Sequence, residues 1–380
     1  MNIKKKPVYV VSALFIATLM WIITYHFGNT ASTTIETPSG QLHVAIREEF
    51  ELRTVGAAVA VGWSKDSSSL AVASNYGGSL SVWDRGGHLV RQFDRIGGGP
   101  TSWGAIALTN NSTRLIFPPP ADSPANAALA VWDVQTGKLV DYIYGAPRPG
   151  TANYYNTFEQ FEVTRDEEKI VSLAGGGPPI IIVSDMREYK SNYVFSLDRY
   201  ASRMCTFDEG NYLATVSMHG TVSIFNLKDG LLLKSFQVFE DPVNGILHMS
   251  NISVNKMGNT LFAGVDGLSW NGAGYRSTEA ADAERNIGQA KIIGVDDGAV
   301  HASFKSADAP IRASAWDPKG RFVSFVDNAG GLFFWWNRSD RFDDYQRLSV
   351  ERPNLSLAIS PDGTLLAVAT GRGVAVFSIK

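Results

Sequence analysis

One pattern recurs along the chain and constrains the fold more than any other feature. A polar turn, in turn KDSS, NNST, RDEE, DEGN, KMGN, DPKG and SPDG, precedes an apolar run opening with Leu70, Leu115, Ile170, Leu213, Leu261, Phe322 or Leu365. After a loop comes a third segment, marked by Trp83, Trp132, Ser184, Phe225, Ile293, Trp335 or Phe377. In most copies a fourth follows, as in HLVRQF and LLLKSF. The turns share Asp, Asn, Gly and Pro, which favour tight reversals. The apolar runs are short and alternate with period two, so they read as strands and not as helices. With 36 glycines and 9 tryptophans, the composition also suits a turn-rich all-β chain.

Four-stranded units at a period of roughly 40–45 residues, with Trp-Asp at a strand end, are a propeller pattern. The chain resembles WD-repeat β-propellers over residues 41–380, and SPDGT, VWD and VWDVQTGKLV carry the resemblance best. The resemblance implies an all-β fold of seven four-stranded antiparallel blades. There are departures. No copy has the Gly-His pair before its first strand, and only two have Trp-Asp at the end of the third strand. The family's His-Ser-Asp-Trp hydrogen-bond network is therefore missing or incomplete.

The last copy stops at its third strand, VAVFSIK, while GQLHVAIREEFEL precedes the first full copy. Residues 41–49 are expected to supply the missing strand and so remove a bare sheet edge.

The stretch AVWDVQTGKLV contains an xDxxTGK form that also occurs in quinone-cofactor propeller dehydrogenases. It appears once, and Asp141 stands where their indole would be. Beside SVWDRGGHLV, SIFNLKDGLLL and IIGVDDGAVH it reads as third strand, turn and fourth strand of blade two. Asp133 and Gly137 are then turn residues, and Trp132 packs between blades.

The N-terminus has its own character. Lys4, Lys5 and Lys6 precede residues 8–27, which contain no Asp, Glu, Lys or Arg. Such a run can cross a hydrocarbon core of about 30 Å as a helix. Trp21, Tyr25 and His26 sit where an interfacial belt would lie. Cleavage as a signal peptide is the alternative. The run exceeds the usual apolar region of roughly 7–15 residues, and the small-x-small signal is poor. The expected organisation is a cytoplasmic basic segment (1–7), a transmembrane signal anchor (8–27), a polar tether (28–40) and the propeller (41–380). The triple lysine keeps the N-terminus cytoplasmic and places the propeller outside the cytoplasm, in the periplasm if the host is bacterial.

In this topology, connections between second and third strands and between blades share one end, the top. The irregular material concentrates there: 96–103, 118–127, 144–156, 175–179 and 266–289. Long loops on a rigid scaffold tend to carry function. Trp103, Arg148, Tyr154, Tyr155, Trp270, Tyr275 and Arg276 lie on them and are of types enriched in binding hot spots. They are the candidate partner-binding residues, although loop aromatics also tuck back onto a scaffold. Residues 277–286 read as a short capped helix or as a solvated loop.

No catalytic, cofactor-binding or metal-ligating residue is singled out. None of the six histidines is paired at ligand spacing, and the single cysteine, Cys205, reads as a buried inert thiol. Asp296–Asp297 and Asp343–Asp344 read as solvated turns. No GxSxG elbow or Walker loop is present, and Gly97–Gly99 and Gly175–Gly177 lack a following Lys-Ser/Thr. Asn110, Asn111, Asn251, Asn337 and Asn354 begin glycosylation triplets. A net charge of -3 gives no reason to expect a nucleic acid. The expectation is a non-enzymatic scaffold for protein partners at or near the membrane. The alternative is a small-ligand binder or enzyme using the central channel, of the calcium-dependent lactonase type, or a carbohydrate binder.

Overall fold

The structure, a computed structural model, describes residues 45–380 except 55, 75–78, 94–105, 110, 121, 148–153, 156–157, 175–178, 198–200, 241–248, 266–287, 307–308, 339–340, 343 and 352. All belong to one compact unit, Glu36–Lys380. The expected anchor and tether lie outside the described residues. Among the described residues, no helix is long and apolar enough to cross a membrane.

Seven four-stranded antiparallel sheets follow one another along the chain. Blades one to six are simple meanders spanning 58–93, 107–144, 158–196, 201–237, 249–305 and 311–349. The seventh combines Pro353–Ile359, Leu365–Thr370 and Gly373–Ile379 with a strand from the other end of the sequence, Ile46–Arg53. The all-β seven-bladed propeller read from the repeat is the fold observed.

Burial explains why the alternation is clear in some strands and absent in others. Second strands such as Ser69–Ser74, and third strands such as Gly331–Trp336, are buried throughout. Each lies between two neighbouring sheets, so both its faces are covered and it reads as an apolar run. Fourth strands such as Leu232–Gln237 have only one covered face and keep a polar or exposed alternation. The core is therefore a ring of clusters between blades. Leu80, Val82 and Phe93 of blade one meet Ile106, Leu108 and Leu115 of blade two. Ile181 and Val183 of blade three likewise meet Met204 and Leu213 of blade four.

The polar turns of blades one, three and seven share one construction. In blade one, the Ser64 hydroxyl donates to Asp66 Oδ1 (2.6 Å), which also accepts the Ser68 N–H (3.1 Å), while Ser64 Oγ accepts the Ser69 N–H (3.0 Å). Ser360, Asp362 and Thr364 repeat this in blade seven, and Thr164, Asp166 and Glu168 in blade three. Burial alone would raise the Asp362 carboxyl. Hydrogen bonds from Ser360, Thr364 and Arg85 outweigh it and bring the group to about 2.

AVWDVQTGKLV has the same logic at the third turn. Asp133 Oδ1 accepts both the Thr136 N–H (2.7 Å) and its hydroxyl (2.8 Å), and Gly137 takes a φ of 72°. Trp132 packs edge-on against Phe93 of blade one, 5.9 Å between ring centroids. The Asp-x-x-Thr-Gly string is a turn device here.

Two readings need adjustment and a third gains detail. The strand that completes blade seven is Ile46–Arg53, with its anchors Phe50 and Leu52 beyond the expected 41–49. The proline-rich insertion of blade two folds back onto its own blade. Pro118 is buried, Gly145 N–H donates to Asn126 O (2.9 Å), and the Ser123 hydroxyl lies 3.2 Å from Tyr142 Oη. Asp344, read as a solvated turn residue, is buried, and its carboxylate lies 3.6 Å from Arg338 Nη2. Asp296–Asp297 is an exposed turn as read, and Cys205 is buried.

Candidate functional site

Antiparallel meanders place all first-to-second and third-to-fourth turns at one end of the propeller and all other connections at the top. Of the candidate top residues, Trp103, Arg148, Trp270, Tyr275 and Arg276 lie outside the described residues, as do residues 277–286. Tyr154–Tyr155 forms a two-residue strand paired with Ala146–Pro147, a small ladder between blades two and three. Among the candidate partner-binding residues, this backbone pairing is the one arrangement that the described residues fix.

At the turn end the description is fuller. First strands are fastened to each other along the channel wall. Trp63 Nε1 donates to Ala358 O (3.1 Å) and Val61 N–H to Ser356 Oγ (3.1 Å), tying blade one to seven. The Gln160 amide both donates to Met204 O (2.8 Å) and accepts from its N–H (3.0 Å), tying blade three to four. Trp316 Nε1 donates to Ser253 O (3.2 Å), tying blade six to five.

A cavity of about 750 Å³ opens at this end. Trp63, Phe161 and Pro361 contribute apolar wall, and Lys65, Arg165 and Asp362 stand on the turns around it. Glu162 sits in the wall. Its Oε2 accepts the Thr206 N–H (2.8 Å) and hydroxyl (3.1 Å), and none of the described hydrogen bonds reaches Oε1.

Strand register shows why Glu162 is unusual. It pairs with Val171, and the same rung of the other blades is Gly62–Ala71, Ala107–Ile116, Cys205–Ala214, Ser253–Phe262, Ala315–Ser324 and Ala358–Ala367. The first member is small in each of those six, and at Gly62 the fit to the next blade is close enough that a Cβ would lie 2.7 Å from Ile106 O. Blade three alone carries a carboxylate there. Burial pushes Glu162 up to about 7, against the lowering effect of the two Thr206 bonds. Its side chain keeps some solvent exposure. Burial, with Glu162 adding to it, also raises the Cys205 thiol, which leaves it protonated and unreactive.

A stability prediction follows from the sign of that shift. A carboxyl raised in the folded state stabilises fully below its unfolded value, near 4.5, and loses that contribution as pH rises through about 7. Glu162→Gln should therefore raise stability at pH 8 by on the order of 2 kcal/mol, discounted for partial exposure, and leave it unchanged near pH 4.5. Chemical denaturation at the two pH values measures this, and an equal effect at both would contradict it.

The Glu162 position was legible in principle. Aligning the seven copies on their turns puts it two residues before Thr164, where the other copies carry small residues. Among the described residues, no three His, Cys, Asp or Glu side chains are grouped to hold a metal ion.

No protein-family model and no curated protein matches the sequence. Among solved structures, the chain is similar to the β-propeller domain of Cps50 (Swd1) from Myceliophteria thermophila. The TM-score is 0.63 at 13% identity, covering 88% of this chain and 100% of that one. Matching chains number 1823, so the likeness identifies a widespread fold and does not select an activity.

Proposed function

We propose that the chain is a membrane-anchored, extracytoplasmic propeller that serves as a scaffold for protein partners through its top-face loops. The observation that carries this is the unequal treatment of the two ends. First-to-second turns are short, and those of blades one, three and seven are closed by their own hydrogen bonds. At the top, by contrast, 266–288 separates Thr260–Val265 from Gln289–Gly294, and 94–106 separates Leu89–Phe93 from Ala107–Thr109. A repeat fold has no structural need for such lengths, since blade six joins its second and third strands with residues 328–330. Extra length on a rigid scaffold is where binding specificity is built.

The candidate residues on those segments combine tryptophan, tyrosine and arginine, the side chains that dominate interface energetics. The charge-free run at 8–27 supports the anchor, and the lysines before it support export of the propeller. Anchoring would hold the binding face near membrane neighbours and raise its effective concentration for them.

Alanine at Trp270, Tyr275 and Arg276 together should cut partner capture at least about ten-fold, the loss of one or more hot-spot side chains. Crosslinked pull-down from native membranes, with melting of the purified variant as control, reads the result. Unchanged capture, or a large fall in melting temperature, would remove this loop from the binding face.

A further inference from the structure

The cavity at the turn end lies opposite the proposed docking face and has its own chemistry. Four carboxylates border it, Asp66, Glu162, Glu167 and Asp362, against two cations, Lys65 and Arg165. They are not equivalent. Asp66 is held by Ser64 and Ser68, and Asp362 is ion-paired with Arg85 at 2.8 Å. Those two belong to turns, as do their counterparts elsewhere. Glu162 belongs to a strand, occupies a rung that is small in the six other blades, and points one oxygen at no described donor.

A carboxylate in that setting is costly. Wedging it into a close interblade contact loses hydration, and the two bonds on Oε2 return only part of it. A glycine, alanine or serine would serve the packing, as it does in the other copies. The tie to Thr206 does not need a carboxylate either, since the Gln160–Met204 pair makes an equivalent tie with an amide. What an amide could not supply is a negative charge with a free acceptor in the wall of the cavity.

We infer that the cavity is a binding site for an organic cation, an ammonium or guanidinium on an alkyl stem, whose N–H groups donate to Glu162 Oε1. Trp63, half-buried in the wall, suits the stem and the cationic head through apolar contact and cation–π attraction. A desolvated carboxylate gains most from a partner that brings both charge and donors. The free cation and a lysine or arginine side chain of a peptide present the same chemistry.

The site is pH-dependent through Glu162. The titratable and charged groups facing it are Lys65 and Asp66 on the blade-one turn, Arg165 and Glu167 on its own blade, Cys205 on blade four and Asp362 on blade seven. Cys205 stays a neutral thiol, since its pKa is raised. Asp66 and Asp362 are lowered and stay ionised from pH 6 to 8. With Glu162 near 7, its ionised fraction falls about ten-fold from pH 8 to pH 6.

The test is calorimetric titration of the full-length chain with n-butylguanidinium, with n-butanol as the neutral control. Saturable binding of the cation at pH 8 is expected, about ten-fold weaker at pH 6. It should be lost or at least about ten-fold weaker in Glu162→Gln, whose residual binding should not change with pH. Glu162→Ala, which restores the small residue of the other blades, provides a second variant should the amide pack poorly. The peptide acetyl-Gly-Arg-Gly-amide forms a second arm. A response to it alone, lost in Glu162→Gln, supports the site with a peptide side chain as the source. Equal binding in wild type and Glu162→Gln, equal binding of n-butanol, or no saturable response to either cation overturns the assignment.

Discussion

Removing residues 46–53 should abolish cooperative folding of the propeller. Ile46–Arg53 pairs with Gly373–Ile379 from Ile46↔Ile379 to Arg53↔Gly373, interrupted by a bulge at Glu48/Phe50. The strand it covers is buried along its whole length. Without the cover, that strand becomes an edge with unpaired backbone groups, and the ring is left with an incomplete blade beside blade one. Ile46 and Leu52 are buried, and Phe50 and Leu52 pack with Leu70, Val72, Val374 and Val376 in the cluster between blades seven and one. Losing three such side chains costs roughly 5–9 kcal/mol. That is comparable with the whole net stability of a typical domain, about 5–15 kcal/mol. Calorimetry of the truncated chain should show no single sharp transition, and a synthetic peptide of residues 45–54 should restore one. A truncated protein that melts within a few degrees of the intact chain would show that closure contributes little. A point variant separates closure from truncation. Gly373 has a φ of 148°, and a Cβ there would lie 2.0 Å from Leu52 O, so Gly373→Val should destabilise the same seam without deleting a residue.

Closure also marks the boundary of what repetition reveals. Strand number, order and turn positions were readable because each blade solves the same burial problem with the same residue classes. Leu70, Leu115 and Ile170 open buried second strands, as their periodicity implied. The extent of the closing strand was less visible. Its register depends on where Phe50 and Leu52 meet blade one, a contact between residues hundreds of positions from their sheet partners. The packing of the blade-two insertion was hidden for a related reason. Proline-rich composition signals a loop, but whether the loop stands out or folds back depends on Tyr142 and Asn126, which composition does not weigh. The candidate partner-binding residues rest on loop length and residue type, and of them only the Tyr154–Tyr155 ladder is described. Glu162 is the opposite case. It escaped notice as one residue of a strand, and became conspicuous once strand register set it beside six small counterparts.

The turn of blade six departs from the construction of blades one, three and seven, and its ion pair should be sensitive to substitution. Where blades one and seven place Ser-x-Asp-x-Ser/Thr, blade six has Asp317-Pro318-Lys319-Gly320-Arg321. Asp317 is fully buried. Its carboxylate receives Arg321 Nε (2.7 Å), Arg321 Nη2 (3.0 Å) and the Arg321 N–H (3.1 Å). Arg321 also donates to Gly363 O (3.1 Å) in the turn of blade seven and lies over the Phe322 ring. The charge is reversed relative to the common turn: the acid stands first and the base fifth, instead of a central acid between two hydroxyls. Arg321→Leu leaves a buried carboxylate with one backbone donor, which should cost about 3–5 kcal/mol. Removing both charges at once should cost much less, because no uncompensated ion remains. The decisive variant is a graft. Asp317→Ser, Lys319→Asp and Arg321→Thr together install the blade-seven turn, whose hydroxyls and central carboxylate satisfy the same backbone groups. If the two constructions are alternative answers to one requirement, the graft should recover most of the stability that Arg321→Leu loses. Urea unfolding of the three variants measures it. A loss below about 1 kcal/mol for Arg321→Leu would place the pair among ordinary surface ion pairs. A graft as unstable as the single variant would show that the Gly363 contact, and not satisfaction within the turn, is what Arg321 supplies.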